Sequence, residues 1–332
     1  LKIVKQLGNR QPVVAEVPRP KPGRGEVLIR TAASALCGSE MHNYRKEGTT
    51  DGNLGHEAAG LVEELGEGVE TLSIGQRVGV SAIAGCGHCA ECRQGRYTWC
   101  ADFKFFGNMH AEYFVIPALA CHVLPEDVPW RVGVLITGDG LGVPIHTSYK
   151  IAGREITTIA IFGLGPIGLG NALLQKYLGR TIIAVDRAPY RLELATKLGA
   201  LAVAADEGVD LPARIRELTG GKGADVCIEA AGSPLTAKLC FNSCRKGGIV
   251  VFNGEQPALE LSPSEDFVRR DITAVGAWYY HFNEYPEMLR LFRAGLAVST
   301  LITQRYPLED AAEAFRAMDE GRSGKIVLEY QV

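Results

Sequence analysis

The chain has 332 residues, 46% of them hydrophobic and 22% charged, with a formal net charge of −3. That length suggests two domains with sizeable cores, and the acidic balance excludes an overall basic field for nucleic acid or an anionic membrane. The N-terminal LKIVKQLGNR lacks the apolar run of a signal peptide. The most apolar stretch, TTIAIFGLGPIGLGNALLQKYLG, is broken by glycines and Pro166, which argues against a membrane span. A reducing, cytoplasmic setting is the expectation.

The first part reads as β-rich. EVLIRTAAS, AAGLVEEL, QRVGVSA and AEYFVIPA are short apolar runs punctuated by glycine and proline. Between the first two runs stand CGSEMH, with Cys37 and His42, and GHEAAG, with His56 and Glu57. Next comes GCGHCAECRQGRYTWC, which crowds Cys86, Cys89, Cys92 and Cys100 into one short lobe. A disulfide knot, a nucleic-acid finger and a metal staple would all use such a cluster. A reducing compartment disfavours disulfides, the net charge disfavours the finger, and a metal remains. TGDGLGVPIHT then supplies Asp139. A thiolate, an imidazole and a carboxylate suit an open tetrahedral zinc site, whereas four thiolates make a closed one.

From about residue 155 the rhythm becomes strand, helix, strand. TTIAIFG, TIIAVD, ALAVAAD, ADVCIEAAG and GIVVFNG read as strands. PIGLGNALLQKYLG, APYRLELATKLG, LPARIRELTGG and PLTAKLCFNSCRKG read as the intervening helices. The alternation predicts a parallel, doubly wound sheet, an α/β Rossmann domain. Two further helices near EYPEMLRLFRAG and LEDAAEAFRAMDEG precede a last strand, KIVLEY. The expected plan is a catalytic domain over 1–140 with the cysteine lobe at 85–100, a dinucleotide-binding domain over 141–277, and a return to the first domain over 278–332. Cys240 and Cys244 are expected on one helix face, in core packing.

IAIFGLGPIGLG places Gly163, Gly165 and Gly168 in G-x-G-x-x-G between a strand and a helix, with Pro166 and Ile167 opening the helix. The glycines permit a tight turn, close approach to a pyrophosphate and close helix–strand packing, and the helix N-terminus favours phosphate. Asp186 ends the next strand, eighteen residues beyond Gly168. A carboxylate there binds ribose hydroxyls and repels a 2′-phosphate, which favours NAD over NADP. Arg187 follows it and could soften that choice; Arg191 stands one helical turn further on as another cofactor contact.

In this order, CGSEMH, GHEAAG, GQRVGV, the C-x₂-C-x₂-C-x₇-C lobe, HAEYFVIP, GDGLGV, GLGPIG and GKIVLEY resemble the zinc-dependent alcohol dehydrogenases of the medium-chain dehydrogenase/reductase superfamily. The resemblance spans nearly the whole chain. It implies a GroES-like β-rich catalytic domain beside the Rossmann domain, and a homodimer or homotetramer with no nucleic-acid or membrane partner. It implies two zinc ions per chain, a catalytic one on Cys37, His56 and Asp139 and a structural one on the four-cysteine lobe. Asp139 fits the acidic third ligand of polyol and threonine dehydrogenases. Glu57 would stand behind the metal. The implied reaction passes hydride from a zinc-activated alcohol to NAD, with the proton relayed from Ser39 through the cofactor ribose toward His42.

Four positions depart from the family pattern: Glu40 stands for the commoner aspartate, Gln76 interrupts a GDRV-type turn, and Asn108 and His110 replace glycines or an apolar residue. His110, joined by Asn108, Trp278 and Tyr279, would give a polar pocket for a polyol, sugar-derived or amino alcohol; alternatively, His110 faces solvent at the cleft edge. The competing classes are a zinc-free quinone or enoyl reductase of the same superfamily and a non-catalytic cofactor-binding protein. The intact ligand set opposes both.

Overall fold

The computed structural model describes residues 1–48 and 54–331. Two compact units form, one from Leu1–Gly142 with Tyr280–Val332 and the other from Val143–Tyr279.

The first unit is built on a seven-stranded sheet. Its order is Ile302–Pro307, Lys325–Glu329, Glu26–Ala35, Ala58–Leu65, Arg77–Val80 and Cys121–Val123, with Tyr113–Pro117 also paired to Glu26–Ala35. The central strand EVLIRTAASA is buried over most of its length, as expected of a strand covered on both faces. Val27, Ile29, Val62, Val78, Phe114 and Ile116 form one core cluster; Leu36, Met41, Tyr44, Phe315 and Leu328 form another. The last strand pairs antiparallel with the central one, Val327 opposite Ala35, so the C-terminal segment closes the fold begun at the N-terminus.

The second unit holds a six-stranded, wholly parallel sheet. Its order is Leu201–Ala204, Thr181–Asp186, Thr158–Phe162, Ala224–Glu229, Cys244–Phe252 and Thr273–Gly276. The strand order reverses at Thr158–Phe162, the first strand in sequence. In open α/β sheets that reversal opens the ligand crevice at the strand's carboxyl end.

One sequence expectation changes, and two elements appear that the sequence reading did not name. The helix Pro234–Ser243 stops before Cys244, which instead begins the strand Cys244–Phe252; Cys240 and Cys244 share the core cluster but not a helix face. The segment after Thr137 forms a helix, Asp139–Lys150, despite Pro144 inside it. Its glycines serve packing: a Cβ on Gly142 would collide with the Tyr280 ring, and one on Gly140 would meet Leu135. An N-terminal hairpin, Lys2–Gln6 with Val4 opposite Val14 in Pro12–Glu16, precedes the expected strands.

Candidate active site

Cys37 follows the central strand and begins the turn into the helix Glu40–Arg45. His56 and Glu57 lead into the strand Ala58–Leu65, and Asp139 opens the helix Asp139–Lys150. These segments bring one ligand atom each from Cys37, His56, Glu57 and Asp139 within 4.8 Å of one another, all buried. Asp139 Oδ2 lies 3.3 Å from Cys37 Sγ and 3.0 Å from His56 Nε2. Its other oxygen, Oδ1, is buried and has no hydrogen-bond partner among the described residues.

The electrostatics fit a cation at that point. Burial pushes the Cys37 thiol up, and the neighbouring Asp139 adds to it. Burial works against charge on His56, but Cys37 and Asp139 outweigh it and hold the imidazole well above its usual range. Burial alone would raise Asp139, yet its contacts with His56 hold the carboxyl below the usual carboxylate range. Sulfur, imidazole nitrogen and carboxylate oxygen, all needing compensation in one buried place, match the donor set of an open zinc site.

Behind this cluster Glu57 forms a buried ion pair with Lys325 of the last strand. Burial lifts the Glu57 carboxyl to about 7, against the pull of Lys325. Sequence reasoning missed Lys325. It stands in the GKIVLEY run that carried the resemblance, but nothing local in that run marks it as the partner of Glu57.

The four lobe cysteines also gather, with sulfur atoms within 4.8 Å. Cys86 and Cys92 are 3.9 Å apart, close to the sulfur–sulfur edge of about 3.8 Å that a tetrahedron with Zn–S bonds of about 2.3 Å requires. No disulfide forms among the described residues. The backbone N–H of Cys86 donates to Cys100 Sγ and that of Cys92 to Cys89 Sγ. Hydrogen bonds from the His88 and Cys89 backbone bring the Cys86 thiol down to about 6, whereas burial takes Cys92 up to about 12. The donor set fits a closed zinc site.

Ser39 and His42 are exposed at the start of the helix Glu40–Arg45, and the Ser39 side chain makes no capping bond. His110 corrects the sequence reading. It is 1% exposed, and both ring nitrogens are engaged, Nε2 with Glu40 at 3.0 Å and Nδ1 with Ser34 at 2.8 Å. It is therefore an interior strut, neither a pocket wall nor a solvent-facing ring. Asn108 is exposed in a left-handed turn conformation. In the other unit Trp278 is exposed, while Tyr279 is buried with φ of 57°.

In the second unit the helix Pro166–Tyr177 follows the glycine turn, with Gly165 as its cap and Pro166 in its first turn. Gly163 has φ of 92°, and a Cβ on it would lie 2.7 Å from the Ala231 nitrogen. A Cβ on Gly168 would collide with the Gly163 carbonyl, whereas Gly165 faces open space. The turn is thus tight where the fold requires it and open where a phosphate would approach. Ile167 lies within the first turn of this helix. Asp186 accepts from the N–H of Leu164 at 2.6 Å and of Ala188 at 2.8 Å, so its carboxylate is anchored beside the glycine turn. Arg187 is exposed, and Arg191 is half-buried on the helix Pro189–Lys197.

Two family models match the chain, one described as "Alcohol dehydrogenase GroES-like domain" over residues 23–126 and one as "Zinc-binding dehydrogenase" over residues 166–294. An L-threonine 3-dehydrogenase of Chromobacterium violaceum is 30% identical over 332 residues, covering 96% of each chain. An alcohol dehydrogenase structure from Thermus sp. ATN1 superposes with a TM-score of 0.90 at 27% identity over 100% of both chains. A 2R,3R-butanediol dehydrogenase structure from Bacillus subtilis gives a TM-score of 0.84 at 27% identity over 99% of both.

Proposed function

The chain belongs to the zinc-dependent alcohol dehydrogenases of the medium-chain dehydrogenase/reductase superfamily, and from that premise we propose that it oxidises a secondary alcohol to a ketone, reversibly, with NAD as acceptor. The substrate class is a polyol, a sugar-derived alcohol or an amino alcohol. The observation that carries this reading is the buried cluster of Cys37, His56 and Asp139, with ligand atoms within 4.8 Å and Asp139 Oδ1 unsatisfied among the described residues. Zinc held there would supply Lewis acidity toward the alcohol oxygen, and NAD would supply the hydride acceptor.

The rest of the work belongs to the chain's own side chains. Cys37, His56 and Asp139 hold their donor atoms in place before substrate arrives, which limits reorganisation during reaction. Lys325 balances the Glu57 charge behind them. Ser39 and His42 are exposed one turn apart on the same short element, suited to pass the hydroxyl proton to water. Asp186 presents its carboxylate beside the glycine turn, suited to two ribose hydroxyls and hostile to a 2′-phosphate. The acidic third ligand and the relatives that act on threonine and on butanediol both favour a substrate with a second polar group.

A panel of polyols, amino alcohols including threonine, and simple alcohols, followed by NADH absorbance, tests the reading. The expected result is higher kcat/KM for substrates with a neighbouring hydroxyl or amine than for ethanol, and a preference for NAD that Asp186→Ser reverses or erases. Ethanol as the best substrate would overturn the substrate class. An unchanged cofactor preference in Asp186→Ser would remove Asp186 from its role.

A further inference from the structure

Glu40 and His110, the two side chains that depart from the family pattern beside the catalytic cluster, touch each other. Glu40 Oε2 lies 3.0 Å from His110 Nε2, and Glu40 Oε1 lies 3.5 Å from His56 Nδ1. All three residues are almost fully buried, and Oε1 has no hydrogen bond to any described residue. His110 Nδ1 lies 2.8 Å from Ser34 Oγ, which lies 2.9 Å from the Tyr330 hydroxyl. A continuous row of side chains therefore runs from the metal-ligand imidazole to the end of the chain.

With Glu40 ionised and His110 neutral, the donor inventory gives each link a direction. His56 turns Nε2 toward Asp139, so a metal on that nitrogen leaves the ring proton on Nδ1, facing Glu40. A carboxylate only accepts, so Glu40 faces that proton with one oxygen, 3.5 Å from Nδ1, and accepts the His110 Nε2–H on the other. His110 Nδ1 is then an acceptor, served by the Ser34 hydroxyl, and Ser34 is served in turn by Tyr330. The backbone ties His110 to the segment that leads into His56: the His110 N–H donates to the Leu54 carbonyl at 3.1 Å. Gly55, with φ of 78°, leaves the space in which the His110 ring sits, since a Cβ there would be 2.6 Å from the ring.

We infer that His110 is a positioning residue for the catalytic zinc, acting through Glu40 to fix the tautomer and orientation of His56. The inference rests on the zinc reading above. Second partners of metal-bound imidazoles affect metal affinity by about 10–100-fold. A carboxylate shared between two imidazoles holds the ligand ring more firmly than one with a free, buried oxygen.

The test uses the purified zinc-loaded protein, equilibrated with a graded series of chelator concentrations and analysed for retained metal. His110→Phe should raise the dissociation constant of the three-ligand zinc by about 10–100-fold and leave the four-cysteine zinc unchanged. His110→Gln, which returns an N–H near the position of Nε2, should recover most of the loss. Ser34→Ala, which frees the His110 tautomer while keeping the ring, should give a smaller rise. Unchanged affinity in His110→Phe, equal weakening of both zinc ions, or no recovery in His110→Gln would overturn the inference. Should His110→Phe fail to fold, unchanged affinity in Ser34→Ala overturns it. Cys37→Ser is the reference. If it retained both equivalents of zinc, the metal reading itself would fail, whatever His110 does.

Discussion

Two cysteine-bearing sites share one unit and are built in opposite ways. The lobe draws Cys86, Cys89, Cys92 and Cys100 from a single short segment, with four like donors, two of them half-exposed. The other draws Cys37, His56 and Asp139 from three separated segments, with three unlike donors, all buried. In the lobe, ligand spacing does the positioning, and a metal bound there would hold a loop with little core of its own. In the buried cluster, strand pairing, the Gly55 turn and the Lys325–Glu57 pair do the positioning. The fold holds those ligands, so a coordination position can stay free for substrate. Damage to the lobe should therefore read out in stability, and damage to the cluster in chemistry.

Asp139→Asn is the strongest way to break that contrast. Lewis-acid assistance amounts to several kcal/mol, and at about 1.4 kcal/mol per tenfold its loss should lower kcat/KM by about a thousandfold or more. Metal analysis should find one zinc equivalent lost and one kept, with thermal stability little changed. Full activity with both equivalents retained would end the distinction between the sites.

Lys325→Met attacks the support of the buried cluster. It leaves Glu57 inside the protein without its partner, and breaking a buried pair from one side costs about 3–5 kcal/mol. Denaturant unfolding measures it. The double variant Lys325→Met with Glu57→Gln should recover much of the loss, because no unpaired carboxylate remains. A double variant no more stable than the single one would show that Lys325 acts through packing and not through charge.

The same contrast explains what could be read in the sequence. The four cysteines and the glycine turn are local patterns; spacing alone places their side chains together. Cys37, His56 and Asp139 each look ordinary; their donor types together suggest an open zinc site, and a resemblance over nearly the whole chain names them as its ligands. Lys325 lies 268 residues from Glu57, and His110 lies 70 from Glu40. Such pairs carry no local signal, which is why His110 read as a pocket or surface residue. The helix Asp139–Lys150 was hidden for a related reason. Gly140, Gly142 and Pro144 look like breakers, but the two glycines are there to let Leu135 and Tyr280 pack close.

Cys92→Ser tests the lobe. Cys92 is a buried ligand of the lobe, and a Cβ on Gly85 would collide with its sulfur. Opening a closed four-thiolate site should cost about 2 kcal/mol or more, and at about 2–4 °C per kcal/mol for a unit of this size Tm should fall by about 5 °C or more. The kcat of the molecules that remain folded should stay within about twofold of the original, because this site has no free coordination position for substrate. A large loss of kcat at full stability would reverse the roles assigned to the two sites.

Glu91→Gln gives the smallest expected effect and sharpens the comparison of supports. The lobe has an ion pair of its own, Glu91 Oε2 with Arg96 Nε at 2.6 Å, but these side chains are 32% and 30% exposed. Water already screens both charges, and glutamine keeps an oxygen that can accept from Arg96. The backbone bond from the Arg96 N–H to the Glu91 carbonyl at 2.9 Å and the placement of Arg96 over the Trp99 ring also survive the substitution. The cost should be about 0.2–1 kcal/mol, and it should shrink further at 1 M salt, where the screening length is about 3 Å. The Lys325–Glu57 pair lies out of reach of the same ions, so the penalty in Lys325→Met should stay nearly constant with salt. Measuring both variants by denaturant unfolding at low and high salt separates the two kinds of support. A Glu91→Gln cost as large as that of Lys325→Met, or insensitive to salt, would show that burial does not rank these pairs.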